Sequence, residues 1–387
     1  MNTKQIDQEF VANTYNRFGV EICRGKGSEV WDETGKRYID LGSGIGVTAF
    51  GYCDDEWMKA VTEQLTCFQH TSNLYYTKPC ADLARLLCQK TDMKKVFFSN
   101  SGAEANECAI KVARKYCQNK KGEDFYNIVT LKNSFHGRTL TTLAATGQEH
   151  YHQLFKPLTS GFLHADAGDL DTLNKCVTEN KVAGILIEIV QGEGGVNCLE
   201  KDFVLGVEKI AKDNDIVLMV DEVQTGNGRS GQLYAYMEYG IKPDVVSTAK
   251  GLGGGLPIGA TLLGDKVADV LGYGEHGSTF GGNPIACAGA LSILKRIDDD
   301  LLQQVRQKSR YVWTKLQNAK GVESVSGMGL MIGIKTDKPA REVVEKCLER
   351  GVLCLTAKDK VRLLPALNIE QELLDEALNI LLEIVGE

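Results

Sequence analysis

No stretch of this 387-residue sequence is an apolar run of membrane-spanning length, and neither an internal repeat nor a low-complexity tract interrupts it. A bilayer-spanning or fibrous protein is thereby set aside, and one continuously folded unit is expected. An excess of positive charge is missing too: the formal net charge is -7 and the isoelectric point is near 5.6. Nucleic acid and anionic membrane surfaces both reward a basic protein, so a small molecule is the better expected partner. Cysteine is present but unpatterned. Twelve cysteines run from Cys23 to Cys354 with no C-x-x-C pair and no Cys/His cluster at metal spacing, which argues against a disulfide framework and against a metal site. They are expected to be buried, reduced thiols, with Cys80 and Cys88 on one apolar helical pattern and Cys108 beside Ala109 and Ile110. Residues Met1 to Phe10 carry acids and amides in place of an apolar core, so neither a signal nor a transit peptide is expected and the chain is assigned to the cytoplasm.

What is there is ordinary globular material, 43% hydrophobic and 25% charged, enough for a large domain and a smaller one. Val30-Trp31 and Tyr38-Ile39 flank the turn residues Glu33 to Lys36 and predict a hairpin over Glu29 to Gly42. Helical periodicity follows from Asp55 to His70 and from Pro79 to Lys90. Val96 to Phe98, the stretch Ala103 to Tyr116 and Ile128-Val129 then read as strand, helix, strand. Short apolar runs at Val182 to Val190, Ile216 to Val220, Val245-Val246 and Ile258 to Leu263 suit a buried, mostly parallel sheet in an α/β protein. Beyond the helical segment that begins near Pro284, strands are expected around Met328 to Ile334 and Val361 to Leu364, with helices at Arg341 to Arg350 and Gln371 to Ile384. The expected division is an N-terminal segment 1–50 that joins the small domain, a large domain 51–285, and a linking helix with the C-terminal α+β small domain, 286–387.

Three polar clusters sit where apolar strands end. In the first, Ser101, Gly102, Ala103 and Glu104 open a helix, where free N–H groups and the helix dipole favour a phosphate; taken alone, the commoner reading is an ordinary cap by Ser101 with Glu104 as the acid of a capping box. Asp221 ends a second strand, where an acid either caps the next loop or serves as a functional carboxylate. Lys250 follows a third strand and precedes glycines 251, 253, 254 and 255. It is either a solvated charge or a lysine that bonds covalently to a ligand those glycines admit. No G-x-G-x-x-G opens a helix with an acid at the expected distance, so a dinucleotide site is not supported. Phe135 can stack on a flat ring, and Arg138 offers a planar fork for a carboxylate, although most arginines are simply surface charges. His136 and His276 lack second and third ligands at spacing, so no metal is assigned.

In this order, Ser-Gly-Ala-Glu-Ala-Asn-Glu, Phe-His-Gly-Arg-Thr, Gln-Gly-Glu-Gly-Gly-Val, Asp-Glu-Val-Gln-Thr-Gly, Lys-Gly-Leu-Gly-Gly-Gly and Gly-Ser-Thr-Phe-Gly-Gly-Asn-Pro resemble the class III, ornithine aminotransferase-like enzymes, most closely those acting on acetylornithine, over nearly the whole chain. The resemblance implies the fold-type I aminotransferase architecture and pyridoxal 5'-phosphate as cofactor. It makes Lys250 the covalent attachment point, Asp221 the partner of the pyridine nitrogen and Gln224 the neighbour of the ring hydroxyl. Val223 and Phe135 would sandwich the ring, and Ser101, Gly102 and Ala103 would hold the phosphate. Thr279 would reach the phosphate of a neighbouring subunit in a homodimer with shared active sites. Arg138, Ser278 and Tyr15 would meet substrate, and Glu193 would pair with Arg362 as a switch that opens for the acceptor's carboxylate. The implied reaction moves the terminal amino group of N2-acetyl-L-ornithine to 2-oxoglutarate, a step of arginine biosynthesis. Ile45 stands where ornithine δ-aminotransferases carry an aromatic residue, which favours an N-acylated donor. Succinylornithine, N-acetyllysine, N-succinyldiaminopimelate, ornithine and 4-aminobutyrate are the alternative donors. A decarboxylase, racemase or aminomutase would use the same cofactor, and a non-catalytic phosphate-binding protein would tolerate loss of Lys250 or Asp221.

Overall fold

The computed structural model describes residues 1–387. Strands β1 (Ile22–Lys26), β2 (Glu29–Asp32) and β3 (Arg37–Asp40) form an antiparallel ribbon. The Asp32 carboxylate closes the predicted turn by accepting the backbone N–H groups of Thr34 and Lys36 at 2.9 and 3.0 Å. The helices Asp55–Cys67 and Lys78–Thr91 follow, with Pro79 in the first turn of the second, where its missing N–H costs no bond.

The central sheet is built from β4 (Lys95–Ser99), β5 (Asn127–Leu131), β6 (Phe162–Ala165) and β7 (Val182–Ile187), joined after the short ribbon β8 (Val190–Gln191) and β9 (Asn197–Cys198) by β10 (Val217–Asp221), β11 (Val245–Thr248) and β12 (Gly259–Leu263). Its order is β4-β12-β11-β10-β7-β5-β6. The pairs from β11 through β6 are parallel, while β12 runs antiparallel to both neighbours. The strand-helix-strand reading of Val96 to Val129 needs one adjustment: β4 lies at one edge and β5 near the other. The helix between them, Gly102–Lys121, carries the chain across the sheet and packs on β12, β11 and β7. Its buried face is mostly small, with Ala105, Cys108, Ala109, Val112 and Ala113, so helix and sheet approach closely. In β10 and β11, every residue is buried, which explains their unbroken apolar runs. Asp221 is in register with Ser247, so Lys250 lies just past the same end of the sheet.

The helical segment from Pro284 is in fact two helices, Pro284–Arg296 and Asp299–Leu316, separated where Asp298 caps the second by accepting Leu301 N–H at 2.9 Å. The strand expected around Met328 to Ile334 is a hairpin, β13 (Val322–Met328) and β14 (Met331–Thr336), turning at Gly329 with φ +59°. After the helix Ala340–Glu349 come β15 (Val352–Leu353), β16 (Leu355–Ala357) and β17 (Lys360–Leu363), then the helix Gln371–Gly386. A second antiparallel sheet has the order β13-β14-β17-β16, whereas β15 pairs in parallel with β3 and so ties the C-terminal region to the N-terminal ribbon. The expectation of twelve buried cysteines is corrected. Cys108, Cys117, Cys287, Cys347 and Cys354 are buried, but Cys23, Cys53 and Cys67 are exposed, on an edge strand, a loop and the last turn of a surface helix. No helix is long and apolar enough to cross a membrane.

Candidate active site

A cavity of about 470 Å³ opens at the C-terminal ends of β10 and β11, and it gathers the three polar clusters. On its wall Ser101 caps the helix Gly102–Lys121 by accepting Glu104 N–H at 3.2 Å. Glu104 does not complete a capping box; it reaches one residue further back and accepts Asn100 N–H at 2.5 Å. Capping and anion binding are therefore compatible, because Gly102 and Ala103 still present first-turn N–H groups that have no helical partner, and both line the cavity. Gly102 has to be glycine for a second reason: a Cβ there would lie 2.6 Å from Cγ1 of Val223.

Asp221 forms the floor and is only 5% exposed. One of its oxygens accepts Val223 N–H at 3.0 Å. The other accepts Asn106 Nδ2 at 2.7 Å and meets His136 Nδ1 at 2.8 Å. Asn106 also donates to the carbonyl of His136 at 2.9 Å and accepts from Ser247 Oγ, so the carboxylate is pinned by a helix residue, itself anchored to β11, and by the loop that carries His136. His136 thus serves the carboxylate. Asn106 and His136 were not singled out for this role by the sequence, although a lone Asn on the small apolar face of a helix was a readable signal.

Lys250 is half-buried, takes φ +46° and faces the same cavity. Burial lowers its pKa from the usual lysine value, against the pull of Glu193, Asp221 and Glu188, so the amine gives up its proton more readily than a surface lysine. The glycine-dense run after it folds back so tightly that a Cβ on Gly253 would sit 2.1 Å from the Leu256 carbonyl oxygen, and this brings Gly255 to Ile258 onto the cavity wall.

Phe135, Val223 and Gln224 line the cavity as well. A further buried acid, Glu188, accepts the N–H groups of Phe135 and Gly192 at 2.8 and 3.2 Å; burial raises it to about 7, against the pull of His136. Glu193 and Arg362 form an ion pair at 2.6 Å, and Gln224 joins it by accepting from Arg362 at 3.1 Å. Burial would raise Glu193, but the Arg362 guanidinium outweighs it and holds the carboxyl below its usual range.

Three expected residues stand apart. Ser278 and Thr279 line a different cavity of about 510 Å³ with Glu104, Glu107, Lys111 and Phe280. Asn100 connects the two cavities, donating to Ser278 Oγ at 3.1 Å. Tyr15 is 71% exposed in the N-terminal segment, outside the first cavity.

Residues 10–385 match the family model described as aminotransferase class-III. The acetylornithine aminotransferase of Haemophilus ducreyi is 48% identical over 99% of this chain and 98% of its own length. That of Aquifex aeolicus is 44% identical over 97% of this chain and all of its own. Among solved structures, the ornithine aminotransferase of Toxoplasma gondii superposes with a TM-score of 0.94 at 29% identity, covering 100% of this chain and 95% of that one. The N-acetylornithine aminotransferase of Stenotrophomonas maltophilia gives 0.86 at 32% identity over 99% and 98%.

Proposed function

Because the chain belongs to the class III aminotransferases, we propose that it transfers the terminal amino group of N2-acetyl-L-ornithine to 2-oxoglutarate, leaving N-acetylglutamate 5-semialdehyde and glutamate. The cavity fits pyridoxal 5'-phosphate on three counts. A glycine cradle opens a helix for the phosphate, a pinned carboxylate at the floor suits a protonated pyridine nitrogen, and a lysine of lowered pKa stands beside them. When bound, the cofactor supplies an electron sink for the charge released at the substrate carbon.

The remaining work belongs to this chain's side chains. Asp221, held by Asn106, His136 and Val223 N–H, keeps one fixed orientation toward the ring nitrogen. Phe135 and Val223, which line the cavity, would flank the ring, and Gln224 would neighbour its hydroxyl. Lys250 Nζ would hold the cofactor, and its amine, of lowered pKa, would serve as the base that takes the proton from the donor's amine-bearing carbon. Arg138 grips the donor's carboxylate. The Glu193–Arg362 pair carries the choice of transamination over decarboxylation or racemisation, because only an enzyme alternating between differently charged substrates needs a neutralised arginine that can be released.

A second copy of the chain completes each site. Ser278 and Thr279 line a separate cavity with the exposed Phe280, and Asn73, which donates to the Ser278 carbonyl, leads into the exposed Leu74, Tyr75 and Tyr76, a surface suited to a homodimer in which Thr279 would meet the partner's phosphate. Twelve cysteines without a disulfide suit the reducing cytoplasm. Free ornithine is the second donor to test, given the overlap with the Toxoplasma gondii enzyme.

The deciding experiment follows the visible absorption of the purified protein while N-acetylornithine and then 2-oxoglutarate are added. Loss of the cofactor band with the donor and its return with the acceptor are expected. A band indifferent to N-acetylornithine but responsive to ornithine moves the assignment to that donor, and no band after adding pyridoxal phosphate refutes the reading. Mixing Lys250→Ala and Thr279→Ala chains should regenerate activity if sites are shared between subunits.

A further inference from the structure

None of this chain's ion pairs involves Arg138, which is instead held by two aromatic rings. Its guanidinium carbon lies 4.3 Å from the centroid of Tyr151 and 5.5 Å from that of Phe135. The two rings meet edge to face, with centroids 5.8 Å apart and planes at 64°. Phe135 and Arg138 line the cavity and Tyr151 does not, so Tyr151 stands behind the guanidinium as seen from the ligand.

Tyr151 is itself well held. The ring of His150 packs on it at 3.9 Å, and its N–H donates to the Gln148 carbonyl at 3.1 Å. Gln148 Nε2 donates in turn to the Ser134 carbonyl at 3.0 Å. On the other side, His152 Nε2 lies 3.0 and 2.7 Å from the carbonyl oxygens of Leu143 and Thr146; because carbonyls only accept, this nitrogen carries the proton and donates to both. Thr146 Oγ1 accepts the N–H of His136, the residue that pins Asp221. The ring beneath Arg138 is thus continuous with the frame of the catalytic cavity.

A guanidinium stacked on a ring keeps its in-plane N–H edge free, which is the edge a carboxylate engages with two parallel hydrogen bonds. Fixing that plane in advance removes an ordering cost from substrate binding. We propose that Tyr151 is a positioning residue that orients Arg138 for the α-carboxylate of the amino donor, and so sets the enzyme's preference for amines that carry one. Tyr151 touches no substrate; it acts through Arg138, and the proposal rests on the assignment of Arg138 to the donor's carboxylate.

The test compares, with holoenzyme, N-acetylornithine and N-acetylputrescine, which has the same terminal amine and acyl group but no carboxylate. Tyr151→Leu should raise KM for N-acetylornithine roughly 2–5-fold, the size of a cation–π contact to an exposed guanidinium, with kcat within about twofold and N-acetylputrescine turnover unchanged. Tyr151→Phe should behave as the parent, because the ring carries the contact. If the leucine variant does not fold, Tyr151→Met removes the ring at similar length and is read the same way. Equal losses on both donors, or no loss on either, overturn the proposal. Arg138→Ala separates the two levels. If it abolishes the preference for the carboxylate while Tyr151→Leu does not, only the role of Tyr151 falls; if it leaves the preference intact, the assignment of Arg138 falls and takes the proposal with it.

Discussion

Replacing Glu193 by Gln isolates the charge that neutralises Arg362. The pair is 2.6 Å apart, Arg362 is 3% exposed, and its Nε has no other partner. Both partners of the present bond are ionised and only Arg362 is in Glu193→Gln, so the closed arrangement weakens by roughly 1–2 kcal/mol, about the spread between the strongest and weakest hydrogen bonds to charged groups. A dicarboxylate such as glutamate or 2-oxoglutarate must displace Glu193 to reach Arg362, whereas N-acetylornithine has no second carboxylate and leaves the pair closed. The kcat/KM ratio of glutamate to N-acetylornithine as amino donors should therefore rise roughly 5–30-fold, most of it through a lower KM for glutamate. Thermal shift gives an independent reading: the variant melts lower than the parent because a buried arginine has lost its counter-charge, and 2-oxoglutarate restores more of the loss than it adds to the parent. A donor ratio within twofold of the parent's, together with an unchanged acceptor KM in Arg362→Ala, refutes the switch.

Lys250→Ala should abolish turnover and covalent cofactor attachment, read by mass spectrometry after borohydride reduction, while the melting temperature with cofactor stays near the parent's; residual activity above about one part in a thousand removes Lys250 from the mechanism. Gly102→Ala forces a Cβ to within 2.6 Å of Val223 Cγ1 on the cavity wall, so cofactor affinity should fall by about 1–3 kcal/mol in a fluorescence titration, and an unchanged affinity would mean Val223 yields without disturbing the site. Glu222, fully buried beside Asp221, is raised from its ordinary 4.5 to about 7 chiefly by burial. The folded protein then binds a proton that the unfolded chain gives up between those values. This contribution to stability is complete below about pH 4.5 and is lost as pH rises through about 7. Glu222→Gln, which does not titrate, should flatten the decline of melting temperature between about pH 4.5 and 7; parallel slopes for both proteins would refute the assignment.

Much of the site was legible because its parts are local. Ser101 to Glu104, Asp221 to Gln224 and Lys250 with its glycines each announce a strand end by composition, and all three meet at one cavity. What joins them is not local. Asn106 reaches Asp221 and Ser247 across the sheet, and no short-range pattern shows which strand end it will face. Strand direction was hidden for a different reason: β12 is buried on both faces, so its apolar run has no alternation to distinguish an antiparallel strand from its parallel neighbours. The break between Arg296 and Asp299 was masked by helical character on both sides, yet Asp298 with Asp299 and Asp300 is the acidic start that a second helix requires. Ser278 and Thr279 line a separate cavity joined to the first through Asn100, an arrangement that sequence order alone does not express.

The pairing of β3 with β15 sets a timetable for the newborn chain. The ribbon β1-β2-β3 is translated early, but its open edge is closed only by Val352 and Leu353. At about 5–20 residues per second, the roughly 310 residues between them take on the order of 15–60 s to emerge, during which the large sheet can fold and the unpaired edge of β3 stays available to other strands. Ribosome-bound chains halted before Val352 should therefore be protease-resistant across the central sheet and sensitive in the ribbon β1-β2-β3, where a holdase chaperone would find its target.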